Sequence, residues 1–118
     1  NCPYPNPSDP PPFIYRASSA GRHNGYESIT LHFELPGEPF ENLLLEYREV
    51  GADRFTHGAI VNYPWSRSGE FTINQLVPGT IYEFRLTAIN RCGAGTPSNL
   101  FPVQVGLPRV PGVPNTGW

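Results

Sequence analysis

Short segments in which apolar and polar residues alternate are the feature that most constrains how this chain can fold. Residues 81–90, IYEFRLTAIN, show the pattern most clearly, because every second residue from Tyr82 to Ala88 is apolar. Successive side chains of a β-strand point to opposite faces, so this spacing predicts a strand with one buried face. The residues predicted to point inward are Tyr82, Phe84, Leu86 and Ala88, and those predicted to point outward are Glu83, Arg85 and Thr87.

Six further segments show the same alternation, some of them weakly, and Gly, Pro and Asn separate them. In the first of these segments Phe13 and Tyr15 are expected to point inward, although Ile14 leaves the register open. The segments are residues 12–17, 28–35, 42–50, 54–63, 70–76 and 100–106.

Seven short strands without any stretch of helical period indicate an all-β chain. One apolar face per strand is what an antiparallel sandwich of two sheets requires. A parallel sheet would need helices between its strands, and the sequence contains no such pattern. We therefore predict a seven-stranded antiparallel β-sandwich.

Both ends of the chain are rich in proline. Residues 1–12 contain six prolines, and residues 107–118 contain three more. Such segments sample polyproline II and act as semi-rigid spacers. We expect residues 1–12 and 107–118 to be linkers around one folded domain, residues 13–106, in a longer protein; disordered termini of an independent domain are the alternative. The start at Asn1 and the lack of any Met agree with an excised piece.

Composition argues against several classes of function. The net charge is −2, which does not suit a nucleic-acid surface or a polybasic membrane patch. No apolar run is long enough to cross a bilayer, so no membrane insertion is expected within this segment.

No pattern in the sequence predicts catalysis, a metal site or a cofactor. The histidines His23, His32 and His57 are scattered, and a metal site needs ligands that converge. No serine lies in a nucleophile-elbow pattern or beside a paired histidine. One cluster of acidic residues is expected to be a solvated face rather than a catalytic site. Its members are Glu34, Glu38, Glu41, Glu46 and Glu49.

The segment INQLVPGTIYEFRLTAINRCGAGTPSN, residues 73–99, resembles the E–F–G region of a fibronectin type III domain. SITLHFELP resembles strand B of that family and LLLEYREVG resembles strand C, and the resemblance extends over about residues 10–106. It implies an immunoglobulin-like sandwich with sheets A-B-E and C′-C-F-G. Phe33 stands where the family usually has Trp, and Leu43 stands where it commonly has Tyr.

The resemblance also implies a structural role for Tyr82, as the tyrosine corner at the start of strand F. Its hydroxyl is expected to bond to the backbone a few residues upstream. Pro78 supplies a fixed φ for that turn and Gly79 a permissive one. The predicted corner consists of Leu76, Pro78, Gly79 and Tyr82.

Recognition in this family is often carried by the F–G loop, which would here be NRCGAGTPSN, residues 90–99. No Arg-Gly-Asp sequence is present, so integrin binding through that loop is not supported. The residues predicted to form interaction loops are Arg91, Gly93, Ala94, Gly95, Thr96, Glu38, Phe40 and Trp65.

The two cysteines, Cys2 and Cys92, are candidates for a disulfide. In a sandwich of this family strand A begins at the end that carries the F–G loop, so the arm with Cys2 would start near Cys92. Ten residues of polyproline II reach ~31 Å. A bond closing a loop of about ninety residues would stabilise the domain by up to ~4–5 kcal/mol in the chain-entropy model. Two unpaired thiols are the alternative.

Together these features favour a non-catalytic extracellular or cell-surface module, acting as a spacer and as a protein-interaction or adhesion surface. Its expected partners are other domains of the same chain and an unidentified protein. Two alternatives stay open: an accessory module of a secreted carbohydrate-active enzyme, and an intracellular scaffold module of the titin kind.

Overall fold

The segments of alternating apolar and polar residues form β-strands, eight in all among the residues that the structure describes. The computed structural model describes residues 10–37, 40–62 and 69–106. No helix occurs within these ranges. The strands are β1 (Phe13–His23), β2 (Tyr26–Glu34), β3 (Asn42–Glu49), β4 (His57–Asn62), β5 (Glu70–Leu76), β6 (Ile81–Asn90), β7 (Gly93–Pro97) and β8 (Phe101–Gln104).

The strands form two antiparallel sheets. The smaller sheet has the order β1-β2-β5, and the larger has the order β4-β3-β6-β7, with β8 also paired to β6. These are the predicted sheets A-B-E and C′-C-F-G, so the predicted all-β sandwich is confirmed. The described residues contain one strand more than the seven predicted, because β7 and β8 succeed each other along the same edge of β6.

The core lies between the sheets and is built from the inward face of each strand. Central strand β6 contributes four apolar side chains that are at most 5% exposed, namely those predicted to point inward. Apolar area removed from water contributes about 25 cal/mol per Å², so this shared face is the main source of stability. The other buried apolar residues are Ile14, Ile29, Leu31, Phe33, Phe40, Leu43, Leu45, Val61, Ile73, Leu76, Val103 and Val105.

At β1 the predicted register was wrong. Ile14 is 1% exposed, whereas Phe13 is 48% and Tyr15 52% exposed. The pairing with β2 shifts between Ile14 and Arg16, which leaves Tyr15 as an extra residue. A bulge of this kind breaks the two-residue period, and simple alternation therefore fails at this point.

Most of the connection between the apolar parts of β1 and β2, SSAGRHNGYE, extends the two strands. His23 pairs with Tyr26 across a two-residue turn, Asn24–Gly25. The φ angles of Asn24 and Gly25 are 52° and 84°. Positive φ at both central residues is the geometry of a type I′ hairpin, for which Asn-Gly is the preferred sequence.

Two prolines that were assigned to the N-terminal arm belong to the folded unit. The carbonyl of Pro10 accepts a hydrogen bond from the Gly37 amide at 2.8 Å, and Pro12 is fully buried. Residues 1–9 and 107–118, which make up most of the predicted linkers, lie outside the described residues.

Candidate functional site

Tyr82 joins the turn between β5 and β6 to the core. The Val77 amide donates a hydrogen bond to its hydroxyl at 3.0 Å, which is the bond that the resemblance implied. Its ring is 5% exposed and packs edge-on against Tyr47, with centroids 5.9 Å apart. Burial raises the pKa of Tyr47, and the neighbouring Tyr82 raises it further.

The same turn is tied to the last strand of the domain. Gly79 has a φ of 85°, and its amide lies 2.7 Å from the carbonyl of Gly106 and 3.1 Å from that of Val105. A positive φ is costly for most residues other than glycine, so Gly79 makes this approach possible. The Leu76 side chain is buried beneath the turn. The corner therefore holds the fold together at the end where the chain leaves β8.

At the opposite end of the sandwich, Arg91 is held by Glu41. The Arg91 amide donates to Oε1 of Glu41 at 2.7 Å, and the Arg91 Nη2 donates to Oε2 at 2.8 Å. The backbone amide of Glu41 donates to the Ile89 carbonyl at 2.8 Å. Although it is paired, the Arg91 side chain remains 62% exposed. The guanidinium is therefore oriented while much of its surface is open to solvent.

The predicted F–G loop is a tight hairpin rather than a long loop. Asn90 Oδ1 accepts hydrogen bonds from the amides of Cys92 and Gly93, at 2.8 and 3.1 Å. An asparagine that bonds backbone amides two and three residues ahead closes a short turn. Residues 93–97 then form β7 and pair with β6. Gly93, Ala94, Gly95 and Thr96 thus lie on a strand, with Arg91 at the tip of the hairpin.

Phe40 was predicted to lie in an interaction loop, but its side chain is 3% exposed and belongs to the core. The expectation was wrong because the Phe40 side chain packs between the two sheets, with the other core residues. Glu38 and Trp65 lie outside the described residues. Cys92 lies in the turn, and the described residues contain no free cysteine; its predicted partner Cys2 lies outside them, so the disulfide stays a prediction.

A charged cluster on the outer face of β3 and β6 was not predicted. Arg48 pairs with Glu83 at 2.6 Å and Arg85 with Glu46 at 2.9 Å. The Phe55 ring lies between the two guanidiniums, 4.3 Å from Arg48 and 4.0 Å from Arg85. Each ion pair joins directly opposite residues of the two strands. The Glu-x-Arg spacing in both segments carried this signal, because antiparallel pairing sets one opposite the other.

Three side chains on the outer face of the smaller sheet have the connectivity of a catalytic triad. Ser18 Oγ lies 3.0 Å from His32 Nε2, and His32 Nδ1 lies 3.5 Å from Glu70 Oε2. Acyl transfer also needs hydrogen-bond donors aimed at the developing oxyanion. Strand β2, which carries His32, uses its amides in the ladders with β1 and β5, and the Glu70 side chain is 57% exposed. Ser18, His32 and Glu70 therefore form a hydrogen-bond network on the surface of the sheet.

The part of the chain that the structure describes contains no helix that is long and apolar enough to cross a membrane. Within residues 10–37, 40–62 and 69–106, no three His, Cys, Asp or Glu side chains are placed together where they could hold a metal ion.

Replacing Tyr82 with Phe tests the structural role of the corner. Loss of the hydrogen bond to Val77 should lower the free energy of unfolding by ~1 kcal/mol, measured by urea denaturation. Tyr15→Phe, at an exposed tyrosine, is the matched control and should change stability little. A stability equal to that of the wild type would show that the hydroxyl bond is dispensable.

The contact between Arg91 and Glu41 predicts an acid-sensitive end of the domain. The side-chain and backbone hydrogen bonds from Arg91 hold the pKa of Glu41 below its ordinary value of 4.5. The contact therefore contributes stability above that value, and the contribution is lost as the pH falls through the lowered pKa of the folded state. NMR titration of the Glu41 carboxyl should show the low midpoint, and Arg91→Gln should raise it. A midpoint at 4.5 or above in the wild type would contradict the assignment.

Comparison with known proteins identifies the family. The model described as "Fibronectin type III domain" matches residues 17–104. A stretch of 46 residues is 44% identical to Host cell factor of Drosophila melanogaster and covers 39% of this chain but only 3% of that protein.

Solved structures agree with the fold. The fn3 domain of human contactin 1 is 19% identical, with a TM-score of 0.69 over 93% of this chain and 88% of the other. The structure of titin kinase and its flanking domains is 25% identical, with a TM-score of 0.61 over 86% of this chain and 18% of the other. With the match of the family model over most of its length, the chain belongs to the fibronectin type III family.

Proposed function

We propose that this chain is a non-catalytic extracellular module that spaces neighbouring domains and presents a surface for binding another protein. Membership in the fibronectin type III family supports the modular part of this proposal. The chain resembles only 18% of the titin kinase structure and 3% of Host cell factor, so these likenesses are to a part of a longer protein.

The observation that carries the interaction role is the fixed but exposed guanidinium of Arg91. Arginine is among the residues that dominate binding energy at protein interfaces. Ordering a long side chain on binding costs about 0.5–1.5 kcal/mol, and prior fixation by Glu41 removes part of that cost. Ala94 and Thr96 on the adjacent strand are exposed as well and extend the surface along β7.

The proposed spacer role rests on the two ends of the sandwich. The tyrosine corner and the Gly79 contacts tie the exit of β8 to the core, while Pro10 and Pro12 join the entry of the chain to it. Forces or orientations imposed at one end are then transmitted through a packed body rather than through a loop. The Pro-rich tails would set the distance to the next domains.

Removing the Arg91 side chain tests the interaction surface. The full chain should retain a protein partner from an extracellular extract, and Arg91→Ala should weaken that binding about tenfold or more in a titration with the purified partner. Arg16→Ala, an exposed arginine on the other sheet, is the matched control. Equal losses in both variants, or no retained partner at all, would contradict the proposal.

A thiol count tests the proposed extracellular location through the cysteines. Unreduced, denatured protein should contain no reactive thiol if Cys2 and Cys92 are joined, because disulfides persist in oxidising compartments. Reduction should then release both thiols and lower the free energy of unfolding. Two free thiols before reduction would count against the disulfide and favour the intracellular scaffold.

A further inference from the structure

The two lateral sides of the sandwich differ in how they are closed. On one side the Asn99 amide group bridges to β1: its Oδ1 accepts from the Ile14 amide at 2.9 Å, and its Nδ2 donates to the Ile14 carbonyl at 3.0 Å. This side also carries prolines, Pro97 on β7 and Pro102 on β8. Proline has no amide hydrogen to offer to a further strand, so it protects a sheet edge.

The other lateral side is formed by β4 and β5 and has no such protection. Strand β4, with the sequence HGAIVN, contains neither proline nor a carboxylate or lysine. Within the described ranges β4 pairs only with β3, and β5 pairs only with β2. One row of backbone amides and carbonyls on each strand is therefore available for pairing.

The sheets also differ in width, and this leaves part of β4 uncovered. The smaller sheet ends at β5, whereas the larger one continues through β3 to β4. Ala59 lies opposite Leu45, on the inward side of the sheet. Leu45 is 1% exposed, yet Ala59 is exposed. The part of the inward face of β4 around Ala59 thus forms a ledge that projects past the last strand of the smaller sheet, whereas Val61 on the same face is buried.

A groove of about 440 Å³ lies between this ledge and β5. Phe71 and Ile73 of β5 form one wall, and Gly58 and Ala59 of β4 form the floor. At one end the Tyr47 and His57 rings stack with centroids 4.6 Å apart. Small residues on the floor and apolar residues on the wall leave room for side chains, beside a strand edge that can pair with backbone.

We propose that this groove binds an extended peptide of a partner protein as a fourth strand of the smaller sheet, paired to β5. The backbone of the peptide pairs with residues 71–74, and alternate apolar side chains enter the groove over Ala59. The inference rests on the proposed function as a protein-interaction module and names the chemistry of one partner.

A single extended segment fits this position better than a second copy of the chain. Because β4 projects beyond β5, two copies paired through β5 would bring their β4 ledges against each other. A peptide has no second layer and meets no such obstacle. The groove lining contains no carboxylate, lysine or arginine, which matches apolar side chains rather than an acidic or basic motif.

The test uses the full 118-residue chain and a phage-displayed library of random linear peptides. Selected peptides should alternate apolar and polar residues and bind with a Kd on the order of micromolar. Amide hydrogen exchange should slow at residues 71–74 in the complex.

Two neighbouring variants on opposite faces of β4 separate the groove from the rest of the surface. Both Ala59 and Ile60 are exposed, so either position accommodates a longer side chain. Ala59→Arg fills the groove and should weaken peptide binding by about tenfold or more. Ile60→Arg, on the outer face, should leave the Kd within about twofold. Equal Tm values for the two variants exclude unfolding as the cause.

Four results would overturn the inference: no selected peptide, equal losses in Ala59→Arg and Ile60→Arg, exchange protection confined to the Arg91 end, or a dimer abolished by Ala59→Arg. The last would make a second copy the occupant. Retention of a partner that depends on Arg91 but not on Ala59 would leave the proposed function standing while rejecting the groove. If Arg91→Ala leaves partner binding unchanged while the peptide still binds, the proposed function is rejected and the groove stands.

Discussion

Burial of the inward face of β6 is the constraint on which the rest of this structure depends. The strand pairs with β3 on one side and with β7 and β8 on the other, and its four inward side chains face the smaller sheet. Once that face is buried, Arg85 and Glu83 must point outward, Tyr82 must lie beneath the preceding turn, and Arg91 must emerge at the end of the strand. Core packing therefore places the groups that are exposed for recognition.

Polar interactions orient side chains on the packed sandwich, but they are not the main source of its stability. The pairs of Arg48 with Glu83 and of Arg85 with Glu46 are partly exposed, and exposed pairs contribute only ~0–1 kcal/mol. Their effect is positional, because they hold both guanidiniums over the Phe55 ring and so pack the loop before β4 onto the sheet. The contact of Glu41 with Arg91 does the same at the tip of the β6–β7 hairpin.

Prediction from sequence succeeded where a residue's role depends on near neighbours along the chain. Tyr82 follows Pro78-Gly79 at a spacing typical of a tyrosine corner, and its hydroxyl bond spans only five residues. The prediction failed at Phe13 and Tyr15, because one extra residue in β1 reverses the face of every residue beyond it. It also failed at residues 93–97, where the hydrogen bonds that the Asn90 side chain accepts from the amides of Cys92 and Gly93 shorten the turn and allow a strand to form.

The sequence by itself determined the fold class, most of the inward face of the strands and the position of the tyrosine corner, since these follow from a two-residue period and from local turn chemistry. Only the tertiary structure decided that Phe40 is buried, that Asn99 closes one lateral side, and that β4 projects past β5 to leave a groove on the other. Those features arise from the unequal widths of two sheets and from contacts between residues up to 85 positions apart. A local sequence pattern cannot predict contacts between residues so far apart along the chain. The open surface on the side of β4 and β5 is therefore seen only in the tertiary structure.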